Sequence, residues 1–369
     1  MSLEKFMPRA DHVGSLLRTQ NVVDARKKFY EEKSITADAL KAEEDKAIIE
    51  LVKMQEEIGL SVATDGEARR SFWHYDFMGA LTGLDLEERD EGVQFAGVKL
   101  RPIFPTINGP LDFPSDHPML DHFRYLASQT NIIPKISIPG PSCCHFRTDV
   151  ADIRHAPYQD VELLMDDLIK TYKKAVQAFY DAGCRYLQMD DIFFAYLCDP
   201  KHRAAKAATG QDPDWLITQY ARMMRESIKD RPGDMTIGMH MCRGNFRSTH
   251  AAEGSYDAVA DAVFNETGVD VFFMEYDTDR AGDLNPLGQL SKGDQRVMLG
   301  FITTKTGELE SLDDMKRKYE QAGKFADYSQ MGVAPQCGFA STEEGNNITA
   351  SDQKRKLQFV LECAETFWS

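Results

Sequence analysis

From residue 132 onward the chain alternates short apolar runs with long amphipathic stretches, and this rhythm limits the fold more than any other feature. The runs are IIPKISIPG (132–140), CRYLQMDD (184–191), MTIGMHMC (235–242), VDVFFMEY (269–276), RVMLGFIT (296–303) and YSQMGVAPQCG (328–338). Between them, VELLMDDLIKTYKKAVQAFYDAG (161–183) places apolar residues at 161, 164, 165, 168, 172, 175 and 176, close to a helical period. Upstream, RADHVGSLL (9–17) and LSVATDGE (60–67) supply two further strand candidates around a long helical pattern over 36–59. Strands that alternate with helices build a parallel sheet, and eight such runs predict an α/β chain closed into a TIM (β/α)8 barrel. Residues 82–116 carry turn residues and alternation without helical period, which predicts a hairpin-like excursion after the second strand. The expectation is one catalytic barrel over 1–369.

Charge and cysteine usage remove several classes of function. With 59 acidic against 43 basic residues the net charge is −16, which opposes nucleic-acid binding. No run of eighteen apolar residues and no charged-then-apolar leader pattern occurs, so a cytoplasmic protein with no membrane partner is expected. Seven cysteines, an odd number without the spacing of secreted scaffolds, argue against a disulfide framework. Cys143, Cys144, Cys184, Cys198 and Cys363 read as packed or free thiols. Cys242 and Cys337 invite another account.

In a barrel of this kind the chemistry gathers at the C-terminal ends of the strands. The residues that end the runs here are Asp65 and Glu67, Asp190 and Asp191, His240 and Cys242, Glu275, and Cys337. Each has a bland reading. Asp65 or Asp191 would cap the following helix. Glu275 with Asp277 and Asp279 would form a solvated acidic loop, and Cys337 before Gly338 would be a packed thiol. Together, an imidazole, two thiols and a carboxylate on three strands of one barrel have the chemistry of a zinc site.

HMCRGN (240–245), FFMEYD around Glu275 and QCGF around Cys337 resemble the zinc motif of the cobalamin-independent methionine synthases. The resemblance implies Zn2+ held by His240, Cys242, Glu275 and Cys337, which would lower the pKa of a bound substrate thiol. HVGSLLR (12–18) is similar to the family's opening loop, where Gly14 and Ser15 would hold the carboxylate of homocysteine. DGEARR (65–70) and MDD (189–191) resemble its ammonium-binding segments, so Glu67 and Asp190 would pair with the substrate amine. The implied activity is an S-methyltransferase that converts homocysteine to methionine.

The chain also departs from that family. It has no room for the second barrel of the full-length enzymes. GPSCCHFRT (140–148) offers only Phe146 and Arg147 where they carry a tryptophan. TTKTGELE (303–310) replaces an Asp-x-His-Ser element, leaving Lys305 as the expected proton donor to the leaving group. The pattern resembles a single-barrel branch, with methyltetrahydrofolate or a methylcorrinoid as candidate donor. The expected partners are these small molecules, with a homodimer admitted. Three alternatives stay open: a related zinc thiol alkyltransferase with another thiol or donor, a non-catalytic zinc-binding protein, and a decarboxylase of the uroporphyrinogen type. The last would leave HMCRGN unexplained.

Overall fold

A computed structural model describes residues 5–89, 94–95, 98–99 and 103–368. Its strands are β1 (Val62–Ala63), β2 (Thr82–Glu88), β3 (Gln94–Phe95), β4 (Val98–Lys99), β5 (Ile103–Asp112), β6 (Ile133–Pro139), β7 (Tyr186–Asp190), β8 (Thr236–Met241), β9 (Val271–Glu275), β10 (Arg296–Ile302) and β11 (Met331–Pro335). Seven of them form one curled parallel sheet in the order β1-β6-β7-β8-β9-β10-β11, an arrangement consistent with TIM-like barrels. Strands β7, β8, β9 and β11 are buried at every position, because helices cover one face of the sheet and the interior side chains fill the other. The helix Val161–Asp181 buries Leu164, Met165, Leu168, Tyr172, Ala175 and Val176, the stripe its sequence predicts. Asp160 caps it by accepting a hydrogen bond from Glu162 N.

Strand β2 pairs antiparallel with β5, and β3 with β4, within the stretch where an excursion was expected. Residues 90–93, 96–97 and 100–102 of that stretch lie outside the described residues.

The first two expected strands differ most from their sequence reading. In place of a strand over 9–17 there is a single parallel bridge, Ala10 to Val333, and the run 60–67 is regular only at β1. The cause is visible in the hydrogen bonds, because buried side chains take over the backbone partners that a ladder would supply. Lys135 Nζ donates to His12 O, Gln188 Nε2 donates to Val13 O at 2.6 Å, and Gln55 Oε1 accepts from Thr64 N at 2.9 Å. The segment nevertheless lies between the two edge strands of the sheet, β11 and β1. Val333 N donates to Arg9 O at 2.7 Å on the β11 side, and Thr64 Oγ1 donates to Gly14 O at 2.6 Å on the β1 side.

The register of the sheet then decides what meets at its C-terminal rim. Pro139 lies opposite Asp190, Asp190 opposite His240, and Glu275 opposite Gly300. A carboxylate and an imidazole from neighbouring strands are thereby brought to one level.

Candidate metal centre and its cleft

His240, near the end of β8, and Cys242, just past it, meet Cys337 in the turn that follows β11. One ligand atom from each lies within 4.8 Å of the others, and all three residues are buried. Burial alone would lower the His240 pKa, but the Cys337 thiolate and the Asp190 carboxylate outweigh it and raise it to about 10. Burial opposes the Cys337 thiolate as well. Hydrogen bonding from Cys242 and the charge of His240 nevertheless hold its pKa well below the ordinary thiol value, while Cys242 is pushed up, chiefly by Cys337. Lone pairs from one nitrogen and two sulfurs therefore converge on a space where they must otherwise share protons. That donor set fits a soft, tetrahedral divalent cation such as Zn2+.

Glu275 stands beside this group and is not part of it. Its Oε2 accepts from Arg243 N at 2.8 Å, and Oε1 faces Arg280 Nη2 at 3.3 Å and Lys305 Nζ at 3.4 Å. These three donors engage both oxygens of the carboxylate. Of the four expected ligands, three converge and the fourth is engaged elsewhere. Lys305 also contacts Asp277 Oδ2 at 3.0 Å. Burial lowers the Lys305 pKa, but Glu275 and Asp277 together raise it above the ordinary lysine value.

A narrow cleft opens over the cluster, with Ser15, Glu67, Asp190, His240, Cys242 and Cys337 in its wall. Glu67 adopts a left-handed backbone conformation, with φ of 58°, which costs a non-glycine residue energy. The turn is held by Asp65 Oδ1, which accepts from Glu67 N at 2.9 Å, and by Arg18 Nη2, which donates to Glu67 O at 2.7 Å. Ser137 Oγ donates to Glu67 Oε1 at 2.9 Å, whereas Oε2 is buried without a partner. Burial pushes the Glu67 carboxyl up to about 7 against the pull of Arg70. Asp190 Oδ1 accepts from Gln188 Nε2 at 2.8 Å and lies 3.5 Å from His240 Nδ1. Gly14 sits next to Glu67, since a Cβ added there would come 3.7 Å from Glu67 Oε1. Every residue expected on the substrate side thus lies at or beside one cleft. Asp65 supports the Glu67 turn, and Asp191 is hydrogen-bonded by Ser142 Oγ, so neither lines it.

Sequence reasoning missed much of the opposite wall. Phe72 and Trp73 line the cleft from the loop after β1, fastened by Trp73 N donating to Ser341 O at 3.0 Å and by an antiparallel bridge from Phe72 to Thr342. Trp73 thus brings an indole into the cleft wall from a loop other than 140–148. The aromatic run SFWHYDF (71–77), directly after DGEARR, was the available signal.

Fold and site together define a TIM-like α/β protein with a buried His-Cys-Cys metal-type cluster at the strand ends, facing a cleft lined with acids. The chain belongs to the family of the cobalamin-independent synthase catalytic domain, whose model matches residues 7–357. It is 45% identical over 361 residues to the uncharacterized protein YxjH of Bacillus subtilis, covering 98% of this chain and 94% of that one. It is 37% identical, with a TM-score of 0.80 and 99% of both chains covered, to a solved structure from Listeria monocytogenes provisionally assigned as a vitamin-B12 independent methionine synthase. To the 5-methyltetrahydropteroyltriglutamate--homocysteine methyltransferase of Bacillus velezensis it is 23% identical, covering 95% of this chain and 43% of that enzyme. Among the described residues no helix is long and apolar enough to cross a membrane.

Proposed function

We propose that the protein is a zinc-dependent methyltransferase that methylates the thiol of homocysteine to give methionine. The observation that carries this reading is the convergence of His240, Cys242 and Cys337 on the cleft that also holds Glu67 and Asp190. Zinc bound there would act as a Lewis acid that favours the deprotonated form of the substrate thiol at neutral pH. His240, Cys242 and Cys337 would hold it, with Glu275 as a fourth ligand if it is released from Arg280 and Lys305. The chain's own groups then position the amino acid. Ser15 and the Gly14 backbone face its carboxylate, and Glu67 and Asp190 pair with its ammonium. The unpartnered Glu67 Oε2 supplies a free acceptor for that ammonium.

In the transfer an S–CH3 bond forms as the donor's bond to the methyl carbon breaks. The thiol proton is lost, and a nitrogen leaving group takes up a proton. Lys305 is the cation assigned to that last step, although its ion pairs with Asp277 and Glu275 favour keeping its proton. Lys305→Arg preserves both pairs while removing a usable acid, so a selective loss of turnover with a nitrogen donor would support the role. Zinc-loaded protein, homocysteine and either methyltetrahydrofolate or methylcobalamin, with methionine as readout, test the reading directly. Methionine from neither donor would refute it. A second reading, a zinc thiol alkyltransferase with another thiol or a methylcorrinoid donor, draws support from the altered segments 140–148 and 303–310.

A further inference from the structure

An open groove adjoins the cleft, and Arg147 and Tyr196 line both. Arg147 ends the helix Pro141–Arg147, and its guanidinium carbon lies 5.6 Å from the centre of the Phe193 ring. Its Nε is buried without a hydrogen-bond partner, and no carboxylate among the described residues lies within ion-pair distance of it. Other arginines without a carboxylate partner, such as Arg18 and Arg243, donate to backbone carbonyls instead.

Three acids, Asp149, Asp199 and Glu253, also line this groove, and two of them already have partners. Asp199 accepts from Lys201 N at 2.8 Å and Glu253 N at 2.9 Å, as a helix cap, and Glu253 contacts His250 Nε2 at 3.1 Å. Asp149 is exposed. The rest of the wall includes Ile103, Pro105, Lys201 and His250 together with a set of aromatic rings. Phe146 stacks on Phe193 at 4.4 Å, His202 stacks on Tyr196 at 4.5 Å, and Tyr75 and Phe104 belong to the same wall. A guanidinium half withdrawn from water and left without an acceptor is an open bidentate site for an oxyanion.

We propose that Arg147 is the anchor for an oxyanion group, carboxylate or phosphate, on the methyl donor, whose planar or apolar body lies along the aromatic groove with its methyl directed to the cluster. This rests on the methyl-transfer reading above. The thiol side has its own anchors in Ser15, Glu67 and Asp190, so the unclaimed cation at the junction of the cleft and the groove falls to the other reactant.

Calorimetric titration of the zinc-loaded full chain with glutarate and with inorganic phosphate tests the anchor without turnover. Binding of at least one probe to the wild type, weakened about tenfold in Arg147→Met and partly recovered in Arg147→Lys, is the expected result. Preference for glutarate over phosphate, or the reverse, identifies the carrier group. Homocysteine binding by equilibrium dialysis should be unchanged in Arg147→Met. Equal probe binding by the wild type and Arg147→Met, or no binding to either, would overturn the proposal, as would selective loss of homocysteine binding. If no donor yields methionine while the anion still distinguishes the wild type from Arg147→Met, the methyl-transfer reading fails and the oxyanion site stands.

Discussion

His240 Nδ1 lies 3.5 Å from Asp190 Oδ1, and the two residues are direct partners in the parallel register of β7 and β8. One carboxylate thus serves two neighbours. It orients the imidazole of the metal-type cluster and faces the cleft where an ammonium would sit. A carboxylate that fixes the ring of a ligating histidine commonly contributes about 10–100-fold to metal affinity. Asp190→Asn keeps the shape and removes the charge, so it should weaken zinc binding on that scale and also raise the KM for homocysteine. Zinc competition against a chelator and steady-state kinetics measure the two effects separately. An unchanged metal affinity would remove Asp190 from the centre's support.

Replacing the thiols should strip the metal and leave the fold intact. The core is built from buried residues of the strands and helices, including Ile237, Met239, Leu299 and Val333, so the sheet does not depend on a cation. Cys242→Ser and Cys337→Ser are each expected to lose most bound zinc and all methyl transfer, with an unchanged circular dichroism spectrum. Glu275→Gln should cost far less zinc, because Arg243 N, Arg280 and Lys305 already claim that carboxylate. Full zinc retention in the double serine variant would refute the ligand assignment.

Glu67 couples binding to pH. Its folded value of about 7, raised by burial against an ordinary 4.5, means that the folded chain keeps a proton which the unfolded chain has already released between those values. Its contribution to stability is therefore complete below 4.5 and is lost as the pH rises through 7, a loss on the order of 3 kcal/mol. Glu67→Gln should be more stable than the wild type above pH 7, with no such gain below 4.5, as read from urea midpoints. An arriving ammonium requires the ionised form, so homocysteine should bind the wild type with proton release and with rising affinity as the pH climbs through 7. The glutamine variant should lose both the proton release and most of the affinity.

Legibility in the sequence follows how local each signal is. The strands β6 to β11 coincide with the apolar runs because burial on both faces demands apolar residues at successive positions. His240 and Cys242 were visible together because one strand carries both, and Cys337 because a following Gly-Phe keeps its motif intact. The N-terminal segment was misread as a strand because its partners are side chains of Lys135 and Gln188, more than a hundred residues away. Trp73 was overlooked for a related reason. The bond from Trp73 N to Ser341 O and the bridge from Phe72 to Thr342, between loops at opposite ends of the sequence, bring that ring into the cleft wall. Glu275 was legible as a strand-end acid, but its three competing donors come from two other loops and its own, and no local spacing announces them.

The fully buried Lys135 offers a test of how the interior supports the rim. Its ammonium donates to Asp11 Oδ1 at 2.9 Å, to Gln188 Oε1 at 3.2 Å and to His12 O, and it lies 4.7 Å from the centre of the Phe273 ring. Gln188 in turn donates to Asp190 Oδ1, so the lysine is two hydrogen bonds from the cleft. Lys135→Met leaves the Asp11 carboxylate buried with only Tyr186 Oη and His12 N as donors, and removing one partner of a buried pair typically costs about 3–5 kcal/mol. Lys135→Met with Asp11→Leu should recover much of that loss, because no uncompensated charge remains. The double variant should still bind homocysteine more weakly than the wild type, since Gln188 loses the donor that holds its amide toward Asp190. Normal homocysteine affinity in the stabilised double variant would show that Asp190 holds its position without the interior network.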